Sequence, residues 1–244
     1  MANDLRDTLR RGLDERVGDD TWLIPSPWPS FDALLEGLWP GLYGLSGPSG
    51  VGRTQLLLQW LLHAALENIP SIGYLSLTDP REITLRLVCL LKDRWWSQWA
   101  KEPDAVTAIV ASHPLSALPV DVIGLVVPTE KDLEARLHKA RQAKPNDPLL
   151  VVIDPDDAVT TTIPWVSLHR MSLRTRATII VASSPSTPPS VLNGHMELIE
   201  TAHSGRVLRL KKHRYGRVGE IDLTFERGRF ESPPTEIELE LKDL

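Results

Sequence analysis

A chain of 244 residues is long enough for one full α/β domain with a buried core plus an appendage, and too short for two comfortable equal domains. Hydrophobic residues at 42% and charged residues at 24% exclude a disordered chain, and a net charge of −5 removes any bulk electrostatic argument for a nucleic-acid partner. The single Cys89 cannot form an intrachain disulfide, the charged start MANDLRDTLRRGLDER lacks a signal peptide's apolar stretch, and the most apolar run, Leu56 to Leu66, carries Gln59 and His63 and is too short to cross a bilayer; a cytoplasmic protein with no membrane partner is expected.

Along the chain, Leu5, Leu9, Leu13 and Val17 stand four apart behind Asp4 as N-cap, which predicts a short amphipathic helix. Pro25, Pro27 and Pro29 follow and set it off as an arm on a stiff extended segment. Strands are then expected at Leu42 to Ser46 and Ser71 to Leu77, and helices at Thr54 to Glu67 and Pro80 to Lys92. Val120 to Val127 is a further apolar run, and Thr129 with Asp132 begins a helix that runs to about Lys144. Leu149 to Ile153 and Ala177 to Ala182 read as strands buried on both faces, with a helix around Trp165 to Arg174 between them. This alternation predicts a mostly parallel sheet flanked by helices. Arg206 to His213 and Glu220 to Phe225, with turns at Gly216 and Gly219 and a third short run after Gly228, predict antiparallel hairpins that finish it. The expected division is an arm and linker at 1–27, a main domain at 28–232 and an acidic tail at 233–244.

One stretch carries chemistry. Gly47, Pro48, Ser49, Gly50, Val51, Gly52, Arg53 and Thr54 fit G-x-x-x-x-G-[KR]-[ST] between a predicted strand and a predicted helix. There the glycines let the backbone curl, successive N–H groups face one centre at the helix N-terminus, and the loop binds an anion. Thr54 would offer its hydroxyl to magnesium, and Arg53 would face the β and γ phosphates. Lysine is usual at that position. A guanidinium is longer, planar and bidentate, so Arg53 neutralises phosphate at a different depth. Asp154 ends the strand LLVVID, where a carboxylate at the edge of a parallel sheet orients a metal's water shell or merely caps the next turn.

With these elements in place, the order of segments resembles the RecA-like ATPases and, within them, the ATPase domain of DnaB-type replicative helicases. The similarity covers about residues 28 to 231 and rests on SFDALLEGLWPGLYGLSGPSGVGRT, GYLSLTDPREITLRL, LLVVID, IIVASSPS and LKKHRYGRVGEIDLTF. It implies a RecA-like nucleotide-binding domain that takes ATP and Mg2+ and assembles with copies of itself or a related ATPase. It also implies that Lys212 and Arg214 reach the γ-phosphate held by an adjacent subunit. Cations of that kind contribute roughly 10³ to 10⁵ in rate; otherwise KKHR is a solvated hairpin tip.

Departures from the family pattern point to slow turnover or none. Thr78 stands where the family keeps a glutamate that polarises the attacking water. Asp79, one methylene shorter, either serves as that base or caps the helix begun by Pro80. Losing a placed general base costs typically about 10² to 10⁴ in rate. Where a glutamine usually senses the γ-phosphate, the chain reads Ser183, Ser184 and Pro185.

The loops that face DNA in such motors read PDDAVTTTIP and SPSTPPSVLNGH, with Asp156 and Asp157 and no Lys or Arg, which argues against strong DNA binding there. Trp95, Trp96 and Trp99 interleave with cations in KDRWWSQWAK. That composition suits single-stranded DNA, a protein partner or simple burial. The sequence thus leads to an ATP-binding protein with weakened or lost hydrolysis in DNA replication, recombination or repair. The alternatives are an active ATPase that uses Asp79 and an assembly scaffold without nucleotide.

Overall fold

The computed structural model describes residues 22–35, 37–92, 118–154, 163–182, 189–201, 205–214 and 217–233. The arm helix at 4–17, Trp95, Trp96, Trp99, Asp156, Asp157, Ser183 to Pro185, Gly216 and residues 234–244 lie outside them.

Strands β1 (Gly41–Ser46), β2 (Ser71–Leu75), β3 (Val120–Gly124), β4 (Leu150–Asp154), β5 (Thr178–Ala182), β6 (Gly194–Glu200), β7 (Arg206–His213), β8 (Gly219–Glu226) and β9 (Arg229–Glu231) form one nine-stranded sheet. Its order is β3-β2-β4-β5-β1-β6-β7-β8-β9. Pairing is parallel from β3 across to β6 and antiparallel from β6 onward. Among the described residues the helices are α1 (Pro29–Leu35), α2 (Arg53–Leu66), α3 (Pro80–Lys92), α4 (Glu130–Ala143) and α5 (Trp165–Thr175).

Continuous apolar strands are explained by two covered faces. In β4, Leu150 and Val152 pack on the side of α1, α2 and α3, whereas Val151 and Ile153 pack on the side of α4 and α5. Helix α2 is apolar almost all round, as a helix buried between the sheet and its neighbours must be. It stops where Asn68 takes a left-handed φ of 61° and the Ile69 N–H bonds the Ala64 carbonyl, just before Pro70. Helix α4 starts as its sequence requires, with the Thr129 hydroxyl accepting from the Asp132 N–H at 3.2 Å.

Three features qualify the sequence reading. The run at 120–127 is strand only to Gly124. A side chain at Gly124 would strike the Thr78 carbonyl, and beyond it Leu125 takes a φ of 55° while Val126 gives its carbonyl to the Ser76 hydroxyl. The chain turns there, leaving Leu125 and Val126 exposed. Second, residues 194 and 195 belong to β6, a parallel strand beside β1, and not to a loop running to His195. Third, residues 22–27 are tied to the domain: Ile24 and Leu38 exchange backbone hydrogen bonds, and the Arg141 and Arg176 guanidiniums lie over the Trp22 ring, at 5.0 and 5.1 Å.

Beyond it, helix α1 is short and is fixed by tertiary contacts. Asp32 accepts from the Ser26 N–H, and Trp28, Phe31 and Trp60 stack edge to face with centroids 5.4 to 6.4 Å apart.

Candidate functional site

The chain leaves β1 at the carboxyl edge of the parallel strands, the place where open α/β sheets bind ligands. It curls through residues 47–52 and enters α2. Gly47 passes so close to β6 that any side chain would overlap the Leu198 carbonyl. Gly52, with φ 107° and ψ 19°, precedes the first helical residue, and no side chain caps the helix. The first N–H groups of any helix lack intrahelical partners, so α2 presents donors and the positive end of its dipole to the loop.

Thr54 and Asp154 meet beneath this loop. The Thr54 hydroxyl donates to Asp154 Oδ2 at 2.5 Å, joining the first turn of α2 to the end of β4. Burial pushes the Asp154 carboxyl above its ordinary range, against the Thr54 hydrogen bond and the charges of Arg53 and Arg86, which pull it down. A hydroxyl and a carboxylate beside the N-terminus of α2 form an oxygen donor set suited to a hydrated divalent cation. Among the described residues there is no cluster of three His, Cys, Asp or Glu residues for a metal held by protein alone.

The loop opens onto a cleft of about 890 Å³ lined by Gly50, Gly52, Asp79, Arg86, Arg206 and Phe225. Asp79 is exposed at its rim, and its Oδ1 accepts from the Arg81 N–H at 2.7 Å, so its carboxylate caps α3. Arg86 is held by Glu82 one turn away, at 2.6 Å.

Lys212 and Arg214 do not join this cluster. Because β7 runs antiparallel to β6, its first residue, Arg206, lies beside the loop while Lys212 pairs with His195 near the far end. The length of β7 puts on the order of 20 Å of strand between them. The Lys212 ammonium donates to the Ser190 carbonyl at 3.0 Å, and the Arg214 N–H to the Asn193 carbonyl at 2.7 Å. Burial, with Arg214 close by, holds the Lys212 ammonium below the usual lysine range.

Several residues around the loop carry no sequence motif. Gln59 pairs with the Phe230 backbone through both amide atoms, at 2.7 and 2.8 Å, and Gln55 donates to the Gly228 carbonyl, so β9 is strapped to α2. Two glutamines four apart in an apolar helix share one face and were the only sign of this strap. The Arg206 Nε donates to the Val51 carbonyl at 3.2 Å, a contact that nothing in the local sequence signals.

No family model matches the chain, and no curated protein matches it. Among solved structures it is similar to the "ATPase Domain of G40P", with a TM-score of 0.79 at 14% identity over 96% of this chain and 100% of that one. It is similar also to a structure described as a DnaB-like replicative helicase and its interactions with primase, with a TM-score of 0.72 at 15% identity over 96% of this chain and 68% of that one. Among the described residues no helix is long and apolar enough to cross a membrane. The chain shares the fold of these RecA-like, DnaB-type ATPase domains, a parallel core with flanking helices and antiparallel C-terminal hairpins.

Proposed function

We propose that this chain is a RecA/DnaB-like ATP-binding protein with weakened or lost hydrolysis, an accessory or regulatory factor in DNA replication, recombination or repair. The observation that carries the reading is the loop at 47–54, which opens α2 at the carboxyl edge of the sheet with Thr54 and Asp154 hydrogen-bonded beneath it. Magnesium supplies charge neutralisation and orientation of the phosphates when bound. Thr54 and Asp154 are the residues to hold it, and the amides of the loop with Arg53 the groups to hold the phosphates.

Weak turnover follows from the carboxylates. Thr78 cannot act as a base, and Asp79 already caps α3 through the Arg81 N–H. The position of Lys212 and Arg214 supports a role in trans, since a strand's length keeps them from their own loop. A second copy or a related ATPase is then the partner whose phosphates they face. The relative described with primase concerns that protein; for this chain it supports only the choice of replication among the pathways.

Calorimetry with MgATP, paired with phosphate release in the presence and absence of single-stranded DNA, tests the reading. Tight binding with no release is expected. Release abolished by Asp79→Asn would favour the active ATPase, which the place of Asp79 on the cleft rim supports. No binding at millimolar MgATP, and no rise in Tm with it, would leave an assembly scaffold.

A further inference from the structure

We propose that Arg206 is a positioning residue for the phosphate loop, holding the Val51–Gly52 peptide so that its N–H faces the phosphate. This rests on the nucleotide-binding reading above. In a planar trans peptide the C=O of one residue and the N–H of the next point in opposite directions. A donor that fixes the Val51 carbonyl on the β7 side therefore turns the Gly52 N–H away from β7, toward the inside of the loop. The Arg206 Nε supplies that donor at 3.2 Å.

Arg206 is itself well anchored. It stands opposite Glu200 in the β6–β7 pairing, its Nη1 lies 2.9 Å from Glu200 Oε1, and the same nitrogen donates to the Gly205 carbonyl at 3.1 Å. The turn between the strands is closed by the Thr201 N–H donating to the Gly205 carbonyl, and the Arg206 side chain is only 15% exposed. A planar guanidinium can hold a carboxylate and two carbonyls at once in fixed directions; an ammonium on a flexible stem cannot.

Other points of the loop are fixed as well. Gly47 lies against the Leu198 carbonyl, Gly52 against the Phe230 ring, and Val51 is buried in the core. Arg206 thus adds a side-chain hold at the Val51 carbonyl, within the stretch between the end of β1 and the start of α2. A charged donor on the carbonyl also polarises the peptide, which strengthens its N–H toward an anion. Since Glu200 offsets its charge, Arg206 acts through the peptide and not as a field source.

Arg206→Lys keeps the charge and the Glu200 pairing but not the fork, and separates the two roles. Hydrogen exchange of the 48–56 backbone in the ligand-free protein should rise about tenfold, with β7 and β8 amides unchanged. Calorimetric affinity for MgATP and for magnesium pyrophosphate should fall together by about tenfold, since the brace acts on the loop and not on a base. Arg206→Gln should lose at least as much; if it fails to fold, the lysine variant carries the test alone. Wild-type exchange at 48–56 in Arg206→Lys, or wild-type affinity for either ligand, overturns the proposal while leaving nucleotide binding intact. A wild-type protein that binds neither ligand overturns the nucleotide reading and this role with it.

Discussion

Gly50 and Gly52 both have left-handed backbones, with φ of 80° and 107°, yet their surroundings differ in a way that predicts unequal consequences for the same substitution. Alanine at Gly50 would meet nothing within 4 Å, so Gly50→Ala carries only the conformational penalty, about 1 to 2 kcal/mol. At Gly52 a Cβ would lie 2.7 Å from Phe230 Cζ. That ring is buried, its backbone is pinned by Gln59 and the Trp28 indole, and it cannot withdraw without breaking those bonds. Overpacking adds about 1 to 3 kcal/mol. Gly52→Ala should therefore destabilise by about 2 to 5 kcal/mol, and Gly50→Ala by under half as much on average. Urea unfolding of both variants measures the difference as a shift in midpoint at constant slope. Phe230→Leu, which removes the atom in collision, should reduce the Gly52→Ala penalty by at least about 1 kcal/mol in a double-mutant cycle. Equal losses at the two glycines, or additivity with Phe230→Leu, would refute the packing argument and leave only backbone strain.

The remaining expectations concern burial and charge. Burial pushes the Asp32 carboxyl up to about 6 despite its hydrogen bond from the Ser26 N–H, so its contribution to stability is fully present below the ordinary carboxylate value near 4 and is lost as the pH rises through 6. Asp32→Asn should be more stable than wild type at pH 7, by about 1 to 2 kcal/mol, with the gap closing toward pH 4 in parallel urea titrations. Asp154→Asn removes a buried carboxylate held above its usual range, so the ligand-free Tm should rise while the magnesium dependence of nucleotide binding disappears; a lower Tm would show that the Thr54 hydrogen bond outweighs burial. Arg141 donates to the carbonyls of Lys144, Pro145, Asp147, Thr175 and Arg176 and lies over Trp22. Arg141→Met should destabilise by about 2 kcal/mol, because water replaces only the exposed part of this set, and exchange at 145–148 and 176–177 should quicken; unchanged exchange would refute a capping role.

The parts of the fold that sequence made legible are those in which a single period or a single residue type does the work. Strands β4 and β5 are unbroken apolar runs because both faces are covered, and the loop at 47–54 is visible because glycine and hydroxyl positions are fixed by backbone geometry. Strand β6 was hidden. Its sequence GHMELIE alternates with charge, it follows a proline-rich segment, and its polar His195 is buried by pairing between β1 and β7, not by apolar character. Helix α1, seven residues long, has too few turns for periodicity and is made stable by Ser26, Asp32 and the Trp60 ring. At the site, Arg206 touches a residue 155 positions earlier in the chain, and no local pattern encodes that distance.

The same division bears on how such a site changes over time. On the proposed reading the anion-binding part of the loop is backbone, set by left-handed glycines, a helix end and a strand that leaves no room for side chains, so arginine in place of lysine at position 53 alters charge placement without dismantling the cradle. On the proposed reading hydrolysis depends instead on side chains at set positions, and here Thr78 has no carboxylate while the neighbouring Asp79 is engaged at the head of α3. Lys212 lies toward the end of β7 remote from the loop, with Arg214 just beyond it, so on the proposed reading the two serve a neighbour and not their own chain. Under the proposed function, a chain with this arrangement holds nucleotide as a structural signal and contributes cations to whichever partner retains a working base.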